Sequence, residues 1–184
     1  MQYLPYVNIK QGSKSVPRFS NGNTLPLTQM PFGMVSFVPQ TQVSRGSWFY
    51  HPDDRSLEGI RLTHQPSPWI GDYGCFVLLP QRDKPMVEPD TNWSSYRPNE
   101  ATLKPDNLNV YFQRYRVQMG VTPTERGASI ELDYTGEEQA LLSILPVGGE
   151  MGHRIDAENG RVYGYTTYHS QDVAKNFKMY YVME

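Results

Sequence analysis

The sequence contains a single cysteine, Cys75, so no disulfide can form within the chain. No apolar run approaches the roughly 20 residues that span a bilayer, and residues 1–11 lack the apolar stretch of a secretory signal. Its 17 Lys and Arg residues are scattered among 19 Asp and Glu residues, without the basic stripe that binds a phosphate backbone. We therefore expect no nucleic acid and no membrane among its partners. The expected localisation is cytoplasmic, or secreted if a leader was removed.

Catalytic and metal-binding signatures are also missing. The four histidines show no zinc spacing, and the sequence has no CxxC, HExxH or GxSxG pattern and no phosphate-binding glycine loop. The carboxylates form no convincing acid and base pair, and Asp72 is the only one within an aromatic loop. We predict no catalytic residue and no metal ligand in this chain.

Apolar residues at helical spacing are absent from every long segment, whereas alternation typical of strands is common. Ala128, Ile130 and Leu132 alternate with polar residues, as in a strand that faces a core on one side and water on the other. The 184 residues suffice for one domain with a hydrophobic core. We predict an all-β antiparallel sandwich of two packed sheets over residues 1–184, with little helix.

Several local features refine this prediction. Alternation over residues 109–119 changes phase between Phe112 and Tyr115, which indicates a bulge. Asn159-Gly160 favours a type I′ hairpin turn, and residues 85–107 read as a long surface loop. The last predicted strand, residues 177–183, runs almost to the end without a following turn or cap, so we expect a longer polypeptide.

The stretch from Thr63 to Gly74, reading THQPSPWIGDYG, lies between two apolar runs and is the strongest candidate for function. Prolines and glycines restrict its backbone, while aromatic and polar side chains suit a sugar, which offers both C–H faces and hydroxyls. The alternative is a stiff hairpin corner in which the tryptophan is folded into the core. The candidate ligand-binding residues in this loop are His64, Gln65, Trp69, Asp72 and Tyr73.

Two further segments carry candidates. In GSWFYHPDD, strand alternation would place Trp48 and Tyr50 on the same side, either facing a ligand or covering a sheet. Residues 21–33 form a loop in which Asn23, Thr24 and Gln29 either orient ligand hydroxyls or bond to the loop backbone, and the second role is favoured.

Together these segments resemble the N-terminal domain of the glycoside hydrolase family 92 α-mannosidases. The resemblance is carried, in order, by NGNTLPLTQMPFGMVSFVPQT, GSWFYHPDD and GIRLTHQPSPWIGDYGCFVLLP, and more loosely by TPTERG. Residues 25–31 and the PSPW tetrapeptide depart from the commoner family forms, so the resemblance implies no particular mannosidic linkage.

The resemblance implies an N-terminal β-sandwich followed by a catalytic (α/α) barrel domain that is absent from this chain. It implies a calcium-dependent, inverting exo-α-mannosidase acting on mannose-containing glycans, with calcium bound mainly by the absent domain. By the same resemblance, Trp48 lies in the sugar-facing wall, the loop reaches into the interdomain cleft, and Asp72 orients substrate or maintains the structure of the cleft. The alternative function is a freestanding carbohydrate-binding or interaction module without catalysis.

Overall fold

The structure is a computed structural model that describes residues 3–14, 18, 23–67 and 69–184. Strands dominate these ranges, and the helices among them are two short 3-10 turns, Leu4–Tyr6 and Val43–Trp48. The strands are β1 Ser36–Gln40, β2 Ser56–Leu57, β3 Gly59–Thr63, β4 Phe76–Arg82, β5 Ser94–Ser95, β6 Thr102–Leu103, β7 Leu108–Phe112, β8 Val117–Pro123, β9 Ala128–Tyr134, β10 Ala140–Pro146, β11 Met151–Asp156, β12 Arg161–Thr166 and β13 Met179–Met183.

The strands pair antiparallel in four sheets. The central sheet has the order β1-β3-β4-β10, and the second sheet has the order β6-β7-β8-β9. A three-stranded sheet, β11-β12-β13, and a two-stranded ribbon, β2-β5, complete the arrangement. The predicted all-β antiparallel sandwich is confirmed.

The core lies between the central and second sheets. On β8, Val117, Met119 and Val121 are fully buried, while the intervening residues are partly or fully exposed. They pack in one cluster with Phe37 of β1 and Leu78 of β4. All residues of β4 are buried, because elements cover both faces of the central sheet.

The phase change after Phe112 marks a hairpin turn, so the predicted bulge is wrong. Strand β7 ends at Phe112 and β8 begins at Val117, with Arg116 in the left-handed region at φ 53°. The Arg82 guanidinium donates from Nε to the carbonyl oxygen of Tyr115, and from Nη2 to the carbonyl oxygen of Arg116 at 3.0 Å. A buried arginine thus stabilises a turn that carries neither glycine nor proline, so residues 113–116 contain no turn signal.

Three other local predictions need correction. The second hairpin has a four-residue turn between Asp156 and Arg161, and its type I′ assignment is wrong because only Gly160 has a positive φ, 64°. Strand β13 begins at Met179, two residues later than predicted. Residues 85–107 are not purely loop, since β5 and β6 lie within them and Tyr96 is buried.

Candidate functional site

The 63–74 loop connects β3 to β4, and its base is closed by one carboxylate. Oδ1 of Asp72 accepts hydrogen bonds from the backbone N–H groups of His64 at 3.0 Å, Gln65 at 2.7 Å and Tyr73 at 2.8 Å. Asp72 is only 4% exposed. A carboxylate in this position ties the two ends of the loop together and satisfies three donors at once.

The tip of the loop projects away from the core. Ser67 and Gly71 exchange backbone hydrogen bonds of 3.3 and 2.9 Å, which bring the two sides of the tip together. Trp69 and Ile70 lie beyond this bridge and are 60% and 49% exposed. The alternative that Trp69 is folded into the core is therefore wrong, because the bridge holds the tryptophan outside it. Pro68 lies outside the described residues.

Trp69 contacts Trp48, and we call the two residues the tryptophan pair. Their ring centroids are 5.1 Å apart and their planes meet at 87°, an edge-to-face arrangement. Trp48 is half-buried at the end of the Val43–Trp48 helix, and its indole Nε1–H donates to Oδ1 of Asn23 at 3.3 Å. The tryptophan pair thus joins two segments that are distant in sequence into one aromatic surface.

Tyr50 does not lie with the tryptophan pair. The strand predicted for this segment is wrong, since a 3-10 helix, Val43–Trp48, with Gly46 at φ 61° removes the two-residue alternation. The Tyr50 side chain is 3% exposed and packs with Val38 in a second small core cluster. Burial, together with the nearby negative charges of two aspartates, raises its pKa to about 12.

The His64 side chain is half-buried, and its proton can be placed. Its Nδ1 lies 2.9 Å from the carbonyl oxygen of Tyr73. Because a carbonyl only accepts, Nδ1–H is the donor, and in the neutral ring Nε2 keeps its lone pair. Burial lowers the pKa of His64, although the bond to Tyr73 and the charge of Asp72 oppose this shift. The ring lines a groove with Phe37 and Leu62 rather than stacking on the tryptophan pair.

Sequence reasoning missed the segment that supports the loop, residues 167–178, which we call the connector because it joins β12 to β13. The N–H of Gly74 donates to the Tyr168 carbonyl at 2.7 Å, and Tyr73 forms a bridge with His169. The Tyr73 ring meets Phe177 edge-on with centroids 6.3 Å apart. The only available signal was the unusual length of this connection between two strands.

Arg61 was also missed, although a charged residue inside the apolar run of β3 is a visible signal. Its side chain is 4% exposed, and its guanidinium carbon lies 4.3 Å from the Phe49 ring centroid and 5.6 Å from that of Tyr168. Nε has no hydrogen-bond partner among the described residues, and neither has Oδ2 of Asp72. Arg61 thus contacts both the residue after Trp48 and the connector.

Polar residues of the 21–33 loop have local partners. Oγ1 of Thr24 donates to the Gln11 carbonyl at 2.6 Å, and Oγ of Ser36 donates to the Gln29 side chain. Thr24 and Gln29 therefore serve the structure, as favoured from the sequence. Asn21 and Gly22 lie outside the described residues.

Two features are absent from the part of the chain that the structure describes. No group of three or more His, Cys, Asp and Glu residues in these ranges is placed to hold a metal ion. No helix in the same ranges has the length and apolar character needed to cross a membrane. The expected calcium ion of the longer enzyme stays a prediction.

Several solved structures resemble this chain. The family GH92 inverting mannosidase BT2199 of Bacteroides thetaiotaomicron VPI-5482 is 32% identical, with a TM-score of 0.90 over 99% of this chain and 25% of that one. The GH92 α-mannosidase BT3965 of the same species, in complex with mannoimidazole, is 23% identical with a TM-score of 0.74, over 90% of this chain and 23% of its own. The latter likeness concerns the fold alone.

These relatives are much longer, since this chain spans about a quarter of the length of each. No curated protein sequence matches the chain. The sequence model of the glycosyl hydrolase family 92 N-terminal domain matches residues 6–184, nearly the whole chain. The chain therefore belongs to glycoside hydrolase family 92, and corresponds to its N-terminal domain.

Proposed function

We propose that this chain is the N-terminal domain of an inverting exo-α-mannosidase, which hydrolyses terminal α-linked mannose from glycans. In this proposal the tryptophan pair and the 63–74 loop line a substrate cleft between this domain and a catalytic (α/α) barrel domain of the same polypeptide. The observation that carries the proposal is the exposed Trp69 on a loop whose base is fixed by Asp72. The 32% identity to an inverting mannosidase supports the choice of reaction.

Each candidate residue has a distinct role in the proposal. The exposed face of Trp69 stacks on the C–H face of a pyranose, while the edge contact with Trp48 fixes its orientation. Gln65 is exposed and offers an amide to sugar hydroxyls, and Nε2 of His64 accepts a hydrogen bond. Tyr73 acts indirectly, by holding the loop on the connector.

Bond cleavage requires groups from outside this chain. Inversion uses two carboxyl groups about 6.5–9.5 Å apart with a water between them. Asp72 is buried, and its Oδ1 already accepts three backbone donors, so it suits loop structure and substrate orientation rather than proton transfer. The proposal therefore assigns the acid, the base and the calcium ion to the catalytic domain.

The test is hydrolysis of α-linked mannosides by the full-length protein, followed by NMR to identify the first anomer released. We expect β-mannose first, and we expect calcium chelation to abolish activity. Trp69→Ala should lower kcat/KM by about 10- to 100-fold, since stacking on a sugar is lost. Trp93 is a partly exposed tryptophan in the 85–107 segment. Trp93→Ala is therefore the matched control and should leave kcat/KM unchanged.

Equal rates for Trp69→Ala and the unaltered protein would contradict the assigned role of Trp69. The same assay separates the hydrolase from the carbohydrate-binding module considered above. If the full-length protein binds mannosides but never cleaves them, with calcium present, the module is the correct function and the hydrolase proposal fails.

A further inference from the structure

The groove that His64 lines has a volume of about 1060 Å³ and lies over one face of the central sheet. Its floor is built from alternate residues: Phe37 on β1, Leu62 on β3, and Phe76 and Leu78 on β4. Residues two apart on a strand point to the same face. These residues belong to one apolar face of the central sheet. Phe37, Phe76 and Leu78 are fully buried there and Leu62 is partly buried, so the groove is a gap above this face, between the second sheet and β13.

The walls of the groove are different, because they are strand edges. All residues from Met179 to Glu184, whose side chains point alternately to both faces, line the groove, and so do Ala128, Ser129 and Ile130 on β9. Consecutive residues can all border a groove only where a strand presents its edge. Strand β9 is the last of the second sheet and β13 the last of the three-stranded sheet.

Neither of these edges has a pairing partner on its outer side within the described residues. Unpaired N–H and C=O groups along a strand edge form a template for another strand. The apolar residues beside the groove are incompletely covered as well, since Ile130, Leu132 and Met183 pack on the core but are only partly buried. A single added strand could pair with the free edges and also cover the partly buried apolar residues.

We propose that the groove binds one extended β-strand from the part of the polypeptide outside residues 1–184. The strand pairs with the edges of β9 and β13, and so joins the second sheet and the three-stranded sheet into one continuous layer. The proposal rests on the proposed function only in requiring a longer protein, as in relatives of which this chain spans about a quarter.

The surroundings define the chemistry of this strand. Side chains facing the floor are apolar, because the floor is, and they alternate with polar ones. Arg126 borders the groove without an ion-pair partner among the described residues, which favours an acidic residue near it. The regular repeat of backbone donors and acceptors along both edges matches another strand rather than a sugar. The strand would also pack beside His64 and support one side of the 63–74 loop.

Hydrogen exchange measured by mass spectrometry on the full-length protein, without ligand, tests the proposal. We expect peptides that cover β9 and β13 to be protected at nearly all amides, about 100-fold or more beyond loop amides, as in β4. Rapid exchange of about half the amides in each strand, typical of a free edge, would overturn it. Protection that disappears on dilution, or appears only with a mannoside, would also overturn it, in favour of a second copy or a glycan.

Two variants of neighbouring residues on β9 test whether protection of β13 depends on the groove. The side chain of Ile130 points toward the core, whereas Glu131 next to it is exposed on the opposite face of β9. Ile130→Lys should speed exchange in β13 by about 10-fold or more, and Glu131→Lys should leave it unchanged. Equal effects would contradict the proposal, and if Ile130→Lys does not fold, exchange of the unaltered protein decides. Activity plays no part here, so this result and the mannosidase test fail independently.

Discussion

The two ends of the 63–74 loop are built in opposite ways. At the base, one buried oxygen of Asp72 accepts three backbone hydrogen bonds. At the tip, Trp69 is mostly exposed and, among the described residues, packs on a single ring, that of Trp48. The contrast shows that backbone hydrogen bonds at the base determine the shape of the loop, while the side chain at the tip is left exposed.

Replacing the residues that define each end should give the largest difference. Asp72→Ala leaves three donors without an acceptor and should lower the free energy of unfolding by about 2–4 kcal/mol. Trp69→Ala removes one exposed ring contact and should lower the free energy of unfolding by about 1 kcal/mol. Urea unfolding of both variants measures the difference. Asp72→Asn keeps an acceptor oxygen and should fall between them, and equal losses for Asp72→Ala and Trp69→Ala would remove the distinction.

The base also depends on close contact with Met179, the first residue of β13. Gly74 has φ 63°, and a methyl group there would lie 2.5 Å from Cβ of Met179. Gly160 has nearly the same φ, 64°, but nothing within 4 Å of the added methyl. Gly160→Ala should therefore cost about 1 kcal/mol for backbone strain alone, and Gly74→Ala about 2–4 kcal/mol. Similar losses in thermal or urea unfolding would mean that Met179 moves easily to make room for the methyl group.

The smallest expected effect concerns pH. Burial lowers the pKa of His64 in the native state below its ordinary value of 6.5. The unfolded chain therefore takes up a proton first, so the free energy of unfolding should fall as pH drops below about 6.5, with no contribution above it. His64→Gln should reduce the loss of stability between pH 7.5 and 5.5. An identical loss in both proteins would show that His64 is not protected at the loop base.

Features set by local pattern were predictable from the sequence. The alternation of Ala128, Ile130 and Leu132 gives β9, and the apolar runs on either side of the 63–74 loop give β3 and β4. Association of Trp48 with this loop followed from the family resemblance, and the structure brings Trp48 and Trp69 into contact. Their binding to a sugar stays a prediction.

Features set by distant contacts were not predictable. The turn at Arg116 depends on donors from Arg82, more than thirty residues earlier. Tyr50 seemed to belong beside Trp48 because the segment was read as a strand, whereas the helix turns it into the core. The support of the loop by the connector joins residues about a hundred positions apart, a distance at which no periodicity carries information.

The three hydrogen bonds that Oδ1 of Asp72 accepts all come from main-chain N–H groups, those of His64, Gln65 and Tyr73. Any residue other than proline supplies such a donor, so the exposed side chain of Gln65 can be exchanged while the hydrogen bonds to Asp72 persist. The side chains of His64 and Tyr73 also make contacts that hold the loop. The backbone at Gln65 is thus fixed independently of the side chain that it carries. If the loop binds sugar as proposed, substitution at this position would alter sugar preference without changing the scaffold that holds the loop.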